Sequence, residues 1–380
     1  MKWHAPAVLA LALAVRVSGA SSFKDADCLG CHDQGGAAFQ ASVHGSLGCT
    51  SCHNKVKAYP HAENARKVEC GACHADSASG VVGGVHAKAS DQPCKGCHGD
   101  SHAILAAKDP KSPIYPLNLP RTCGGCHGDG KFAKKHGISE VYSLYMDSIH
   151  GFALTQDGLL VAASCSSCHG SHKILSSKDP KSRTARANVP STCGTCHGGP
   201  KEAYLSGIHG KSMEKGNEGA PVCTDCHTTH QIANVRTASW QTQTTATCGG
   251  CHSDQFKTYR DTFHAQVSAL GYVETAHCWD CHGFHDIQPA GNAKSMVARA
   301  NREATCGKCH AGVNKSFVSY APHGDSHNKD AYPMLFYSRL FMNLLLSSVL
   351  GFFALHTILW FIRSRFDRQA GPIAQAPGQR

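Results

Sequence analysis

Strongly apolar positions gather near the two ends of this chain and are thinly spread between them. The run Ala5–Val15 follows Lys2 and precedes Ser18-Gly19-Ala20, with Arg16 placed late in the pattern. A basic residue, a short apolar stretch and small residues predict a secretory signal over residues 1–20. The run is short for a membrane span. Leu340–Ile362, by contrast, is uncharged and almost wholly apolar. At a rise of about 1.5 Å per residue it is long enough to cross a hydrocarbon layer of about 30 Å. Arg363, Arg365 and Arg368 follow, a cluster that marks the cytoplasmic side, and Trp360 suits the interface. The pattern therefore predicts an exported domain over 21–333, a transmembrane helix over 334–363 and a cytoplasmic tail over 364–380. Within the exported part, helices are predicted over Ile138–Ile149 and Asp254–Leu270, and strand patterns are scarce.

Between those ends the composition argues against an ordinary core. Leu, Ile, Val and Phe are sparse, aromatic residues make up 7%, and there are 38 glycines. Such a stretch is too poor in apolar side chains to bury a good core by itself. Something else must fill the interior, and the cysteines say what.

All 22 cysteines fall in C-x-x-C-H motifs. They are Cys28, Cys31 with His32; Cys49, Cys52 with His53; Cys70, Cys73 with His74; Cys94, Cys97 with His98; Cys123, Cys126 with His127; and Cys165, Cys168 with His169. Then come Cys193, Cys196 with His197; Cys223, Cys226 with His227; Cys248, Cys251 with His252; Cys278, Cys281 with His282; and Cys306, Cys309 with His310. This is the attachment signature of c-type haem: two thiols form thioethers to the porphyrin and the adjacent histidine binds the iron. Zinc sites also use paired cysteines, and a disulfide scaffold also gives an even count. Neither explains a histidine after every pair. Eleven haems c are expected, each bringing a large apolar face inside. The apo-chain is then expected to be largely unfolded. The fold expected is mainly irregular with short α-helices, organised around a chain of covalently bound haems, with one C-terminal transmembrane helix. Export agrees, because c-type maturation occurs on the outer face of the bacterial inner membrane.

The formal charge of +10 reads differently once the cofactors are counted. Their propionates would add roughly twenty negative charges, so the basic balance compensates the haems and points to no nucleic acid.

The motifs repeat in modules. The first stands alone. Five two-haem modules follow, each with a leading histidine and a middle one: His44 and His61, His86 and His102, His150 and His172, His209 and His230, His264 and His285. These ten, with His323 and His327 from the tail, are candidate distal ligands; which serves which iron stays open. His136 and His277 lie off the pattern and read as non-ligands. A turn recurs between motifs, Asp109-Pro110-Lys111-Ser112 and Asp179-Pro180-Lys181-Ser182, and reads as structural.

This histidine supply separates two functions. A haem reductase of a small nitrogen or sulfur oxyanion needs one open iron; an electron carrier wants every iron six-coordinate. Twelve candidates for eleven irons favour the carrier, an electron-transfer subunit with no catalytic residue of its own. Bis-histidine ligation gives low-spin iron, typically of low potential. A third reading is a structural anchor for a larger respiratory complex. His356 lies inside the apolar span, where ionisable residues are unusual. It can ligate a b-type haem shared with another subunit, contact quinol, or pack a partner helix. A single span gives little room for a complete quinone site, so an integral-membrane partner, a cytochrome b-like subunit, is expected. Asn343, Ser347 and Ser348 can hydrogen-bond it.

The repeated S-x-H-G…C-x-x-C-H-x-x-H…C-x-x-C-H modules resemble the bis-His multihaem cytochromes of anaerobically respiring bacteria, a group that includes the small tetrahaem cytochromes. The tail Pro322-His323-Gly324-Asp325…His327, with its span ending Leu355-His356-Thr357-Ile358-Leu359-Trp360-Phe361-Ile362-Arg363, is similar to periplasmic multihaem subunits that pair with a membrane cytochrome b in metal-reducing bacteria. The resemblance covers residues 28–363. It implies an inner-membrane protein with its haem domain in the periplasm, passing electrons from the menaquinol pool to periplasmic cytochromes. Entry near Cys306–His310 and exit near Cys28–His32 are expected. The expected cleavage of the N-terminal signal sets the chain apart from tetrahaem quinol dehydrogenases held by an N-terminal helix.

Overall fold

The computed structural model describes residues 23–33, 36–61 and 68–369; the expected signal over 1–20 and residues 370–380 of the tail lie outside them. Among the described residues there is no strand. Short helices alternate with turns, and one long helix, Pro333–Gln369, closes the chain. Isolated helices below about 12 residues are marginal in water, so elements such as Cys165–His169 and Cys223–His227 need something to pack upon. The polypeptide supplies little of it. Its buried apolar side chains are mostly small, such as Ala133, Ala185, Ala220 and Ala298, with Leu154 a rare large one, whereas Val161, Phe263 and Leu270 are more than three-quarters exposed. The chain forms two units, Met1–Val235 and Arg236–Arg380.

In the first unit, backbone bonds stitch one module to the next. The residue before three of the leading histidines donates to a carbonyl just past the next module's middle histidine: Val43 to Ile104 at 2.9 Å, Val85 to Ile174 at 2.8 Å and Ile149 to Ile232 at 2.8 Å. A tyrosine five residues before the leading histidine then ties down the chain ahead of the next motif. Tyr145 Oη donates to the Ala163 carbonyl at 2.9 Å, and Tyr204 Oη to that of Pro221 at 2.9 Å. Burial pushes both phenols up to about 12, so each is a donor throughout the neutral range.

The recurring turn is built as its sequence suggests. Asp109 Oδ1 and Asp179 Oδ1 accept from the amides of Lys111 and Lys181 at 2.8 Å each. Two residues outside the quoted turn complete it. Asn188 Nδ2 donates to the carbonyls of Pro180 and Ser182, both at 2.8 Å, and Asn118 does the same to Pro110 and Ser112.

The second unit repeats both devices. Tyr259 Oη donates to the Ala276 carbonyl at 2.8 Å. A third copy of the turn, unrecognised in the sequence, starts at Asn292: its Oδ1 accepts from Lys294 N at 2.9 Å, and Asn301 Nδ2 bridges Ala293 and Ser295 at 2.8 Å each. Asparagine replaces aspartate and alanine replaces proline, which hid the match.

The helices expected over Ile138–Ile149 and Asp254–Leu270 are each broken. Tyr142–Met146 is followed by Ile149–Thr155, and Ser253–Arg260 by Phe263–Ala269. Ser148 and Thr262 cause the break: both are extended, and their hydroxyls accept from Gly151 N and Ala265 N as N-caps. Each hydroxyl also donates back to the preceding helix, Ser148 to Tyr145 at 2.6 Å and Thr262 to Tyr259 at 2.7 Å. The corner is tight, and a Cβ at Gly151 would collide with the Tyr145 carbonyl. That contact explains the glycine after His150.

The last helix has 37 residues. Residues Pro333–Phe366 are long and apolar enough to cross a membrane, and none of this stretch is buried within the protein. Two of its polar side chains bond along the helix: Ser348 Oγ donates to Leu344 O at 2.7 Å and Thr357 Oγ1 to Phe353 O at 2.8 Å.

Candidate haem-binding sites

Each motif is fixed by its own short-range chemistry. In three motifs the third residue caps the helix: Asp225 Oδ2 accepts from Val222 N at 2.6 Å, Asp280 Oδ2 from His277 N at 2.8 Å, and Ser167 Oγ from Ser164 N at 3.0 Å. Arg186 grips Asp225 through both guanidinium ends, at 2.8 and 3.1 Å, and also binds the carbonyls of Glu218 and Ala220. Burial alone would raise the Asp225 carboxyl; the Arg186 and Val222 hydrogen bonds outweigh it and hold the group below the usual carboxylate range. The chain then turns sharply after the motif histidine, with positive φ at Gly99, Gly170 and Gly283. None of the cysteines is in a disulfide, so every motif offers two thiols for attachment.

The histidines form a regular set of facing pairs. In the first unit, leading histidines face the second motif of their own module: His44 with His74 at 6.0 Å between ring centres, His86 with His127 at 6.2 Å and His150 with His197 at 6.1 Å. Middle histidines face the first motif histidine before their own module's: His61 with His32 at 5.9 Å, His102 with His53 at 6.1 Å, His172 with His98 at 6.1 Å and His230 with His169 at 6.0 Å. In the second unit His264 faces His310 at 5.9 Å, and His323, from the tail, faces His282 at 6.2 Å.

These distances fit a metal between the rings. Two imidazoles on opposite sides of one ion, each bonded at about 2 Å, put their ring centres roughly 6 Å apart. Direct stacking or hydrogen bonding would bring them closer. His86, His98, His150, His169, His264 and His282 are held below the ordinary imidazole value, first by burial and next by the facing imidazole. Neutral imidazole is the form that ligates. The donor set, two thiols and two imidazoles per site, fits haem c.

Other candidates are placed differently. His209 lies on the helix Ile208–Glu214, and His285 packs edge-on against Phe284 at 5.5 Å. His227 ends the helix Cys223–His227, and His252 caps Ser253–Arg260. His327 pairs with Asp325 at 3.3 Å. Of the off-pattern pair, His136 lies against Phe132 at 4.2 Å, while His277 is 2% exposed and stacked on Trp279 at 4.5 Å.

Motifs adjacent in sequence are also adjacent in space. Cys28 with Cys49, Cys70 with Cys94, Cys123 with Cys165 and Cys193 with Cys223 lie within sulfur hydrogen-bonding reach in the first unit, as do Cys248 and Cys278 in the second.

Paired thiols in every motif, with nine motif histidines facing a second imidazole across a metal-sized gap, define a multihaem c-type cytochrome, a protein that binds haem c and transfers electrons. The comparisons agree. Residues 214–257 match the family of the doubled CXXCH motif. The chain is similar to the cytochrome c-type protein NrfB of Escherichia coli O6:H1, 29% identical over 145 residues, which is 35% of this chain and 72% of that protein. No solved structure matches.

Proposed function

We propose that this chain is a membrane-anchored relay with eleven haems, carrying electrons between the quinol pool and periplasmic redox carriers in anaerobic respiration. The observation that carries the reading is the set of nine facing histidine pairs, all 5.9–6.2 Å apart. In this reading those imidazoles hold their irons from both sides, and His209 and His285 match in number the further motif histidines His227 and His252. Eleven distal ligands then serve eleven irons, and His327 is surplus. Each haem, when bound, takes up and gives away one electron by cycling between ferric and ferrous iron. The chain's part is to saturate the metal so that no small molecule binds, and to keep neighbouring sites close.

The apolar helix Pro333–Gln369 supports anchoring in the bacterial inner membrane, with residues 21–333 in the periplasm and the Arg363 and Arg365 side in the cytoplasm. The proposed partner within the bilayer is a cytochrome b-like subunit, and His356, stacked on Phe352 at 6.5 Å, is where a shared haem b or a quinol would be met. Periplasmic cytochromes are the proposed partners at the other end.

The test is electron paramagnetic resonance of the fully oxidised, detergent-solubilised protein. All iron should be low-spin. A stoichiometric high-spin signal that shifts with nitrite, hydroxylamine or sulfite would make the chain a reductase instead. Mass spectrometry of the denatured protein should add eleven covalent haems to the polypeptide, and any smaller number overturns the count.

A further inference from the structure

One facing imidazole comes from outside the repeat. His172 and His230 follow a motif histidine by three residues and His102 by four, so a motif end already fixes their backbone. His323 has no such anchor, yet its ring faces His282 at 6.2 Å. Its ring plane is also distinctive: the pair is inclined at 37°, against 4° to 24° for the four pairs made by middle histidines.

The support for His323 lies on the helix that starts after another motif. Its Nδ1 is 3.1 Å from Thr258 Oγ1. That hydroxyl has a single proton, and the helix carbonyls of Gln255 at 3.0 Å and Asp254 at 3.2 Å are there to take it. The Thr258 oxygen is then an acceptor, so Nδ1 carries the ring proton. Nε2 keeps its lone pair for a metal.

We infer that Thr258 is a positioning residue: by accepting the Nδ1 proton it fixes the tautomer and plane of His323, makes that imidazole a stronger donor, and so lowers the reduction potential of the iron between His323 and His282. A hydrogen bond on the remote nitrogen of a ligating histidine orients the ring and raises its basicity, which favours the ferric state. The site adjoins the membrane helix as well, since a Cβ at Gly324 would press on Leu335 at 2.8 Å. Thr258 thus acts on an iron beside the root of that helix.

The inference rests on the two-histidine ligation proposed above, and the experiment separates the two. Full-length holoprotein is titrated potentiometrically with paramagnetic resonance detection, as wild type, Thr258→Val, Thr258→Ser and His323→Ala. The valine variant should move one haem midpoint upward and alter one low-spin signal, leaving the haem count unchanged, and serine should restore both. A valine variant identical to wild type overturns the role of Thr258, and so does a serine variant that behaves like valine, because packing rather than the hydroxyl would then be the cause. His323→Ala should convert one iron to high-spin. If it leaves every iron as in wild type, the ligation itself fails.

Discussion

Thr228 stands where three other modules have glycine. The residue after the first motif of a module has positive φ at Gly99, Gly170 and Gly283, and Thr228 shares it, with φ 63° and ψ −175°. For a β-branched residue this region costs about 1–3 kcal/mol. The hydroxyl recovers part of that by donating within the turn, at 2.6 Å to His227 O or 2.7 Å to Gln231 O, a contribution of about 1 kcal/mol. Strain should win, so Thr228→Gly is expected to raise stability by about 1 kcal/mol, read as a higher denaturant midpoint of the holoprotein; a lower midpoint would show that the hydroxyl matters more. At this scale the sequence was legible where chemistry is local. The C-x-x-C-H motifs and the glycine at 151 announce themselves within a few residues. Thr258 does not, because its partner His323 lies 65 positions away and a threonine on a helix carries no mark of what it faces. The tyrosines at 145, 204 and 259 were hidden likewise, each reaching a carbonyl 17 or 18 residues ahead.

Elements follow from the same local rules, with one consistent shortfall. Helix existence was legible before His150 and His264, but the break was not, since Ser148 and Thr262 suit a helix start and a solvent-facing position equally well until their caps are seen. The third turn was missed because recognition rested on Asp-Pro, whereas the bonds are made by the first side chain of the turn and by an asparagine nine residues on, a role that Asn292 and Asn301 fill without either letter. The long helix was legible as an apolar run over 334–363, and it continues to Gln369, into the stretch expected as tail. It shares few bonds with the preceding chain, so ending the protein after Ala331 should release the haem-bearing part from membranes. Fractionation of cells expressing that truncation should find the haem protein in the soluble fraction; retention in the membrane fraction would mean that another surface anchors it.

For the whole molecule, the pairing register was the part the sequence withheld. Module boundaries drawn between motifs left open which histidine serves which iron, and His102, His172 and His230 each face a motif histidine of the module before. The two kinds of pair also differ in angle. Those made by the middle histidines of the first unit are inclined at 4°, 11°, 15° and 24°, and those made by leading histidines at 43°, 52°, 54° and 84°. Imidazoles that are nearly parallel split the iron d-orbitals along one direction, and crossed ones largely cancel. The oxidised protein should therefore show two families of low-spin signal, one rhombic and one strongly axial, and a single family would contradict the angles.

The borrowed ligand also constrains how such a chain can grow or shrink over evolutionary time. Duplicating a module inserts two irons and hands each new site a lender, so lengthening is simple. Cutting one away strands the site upstream, as removal of His230 would leave His169 facing nothing. A lineage that shortens must either bring a substitute from elsewhere, as the tail does with His323, or live with a vacant coordination position. The second course is how a conductor of this design would become a catalyst.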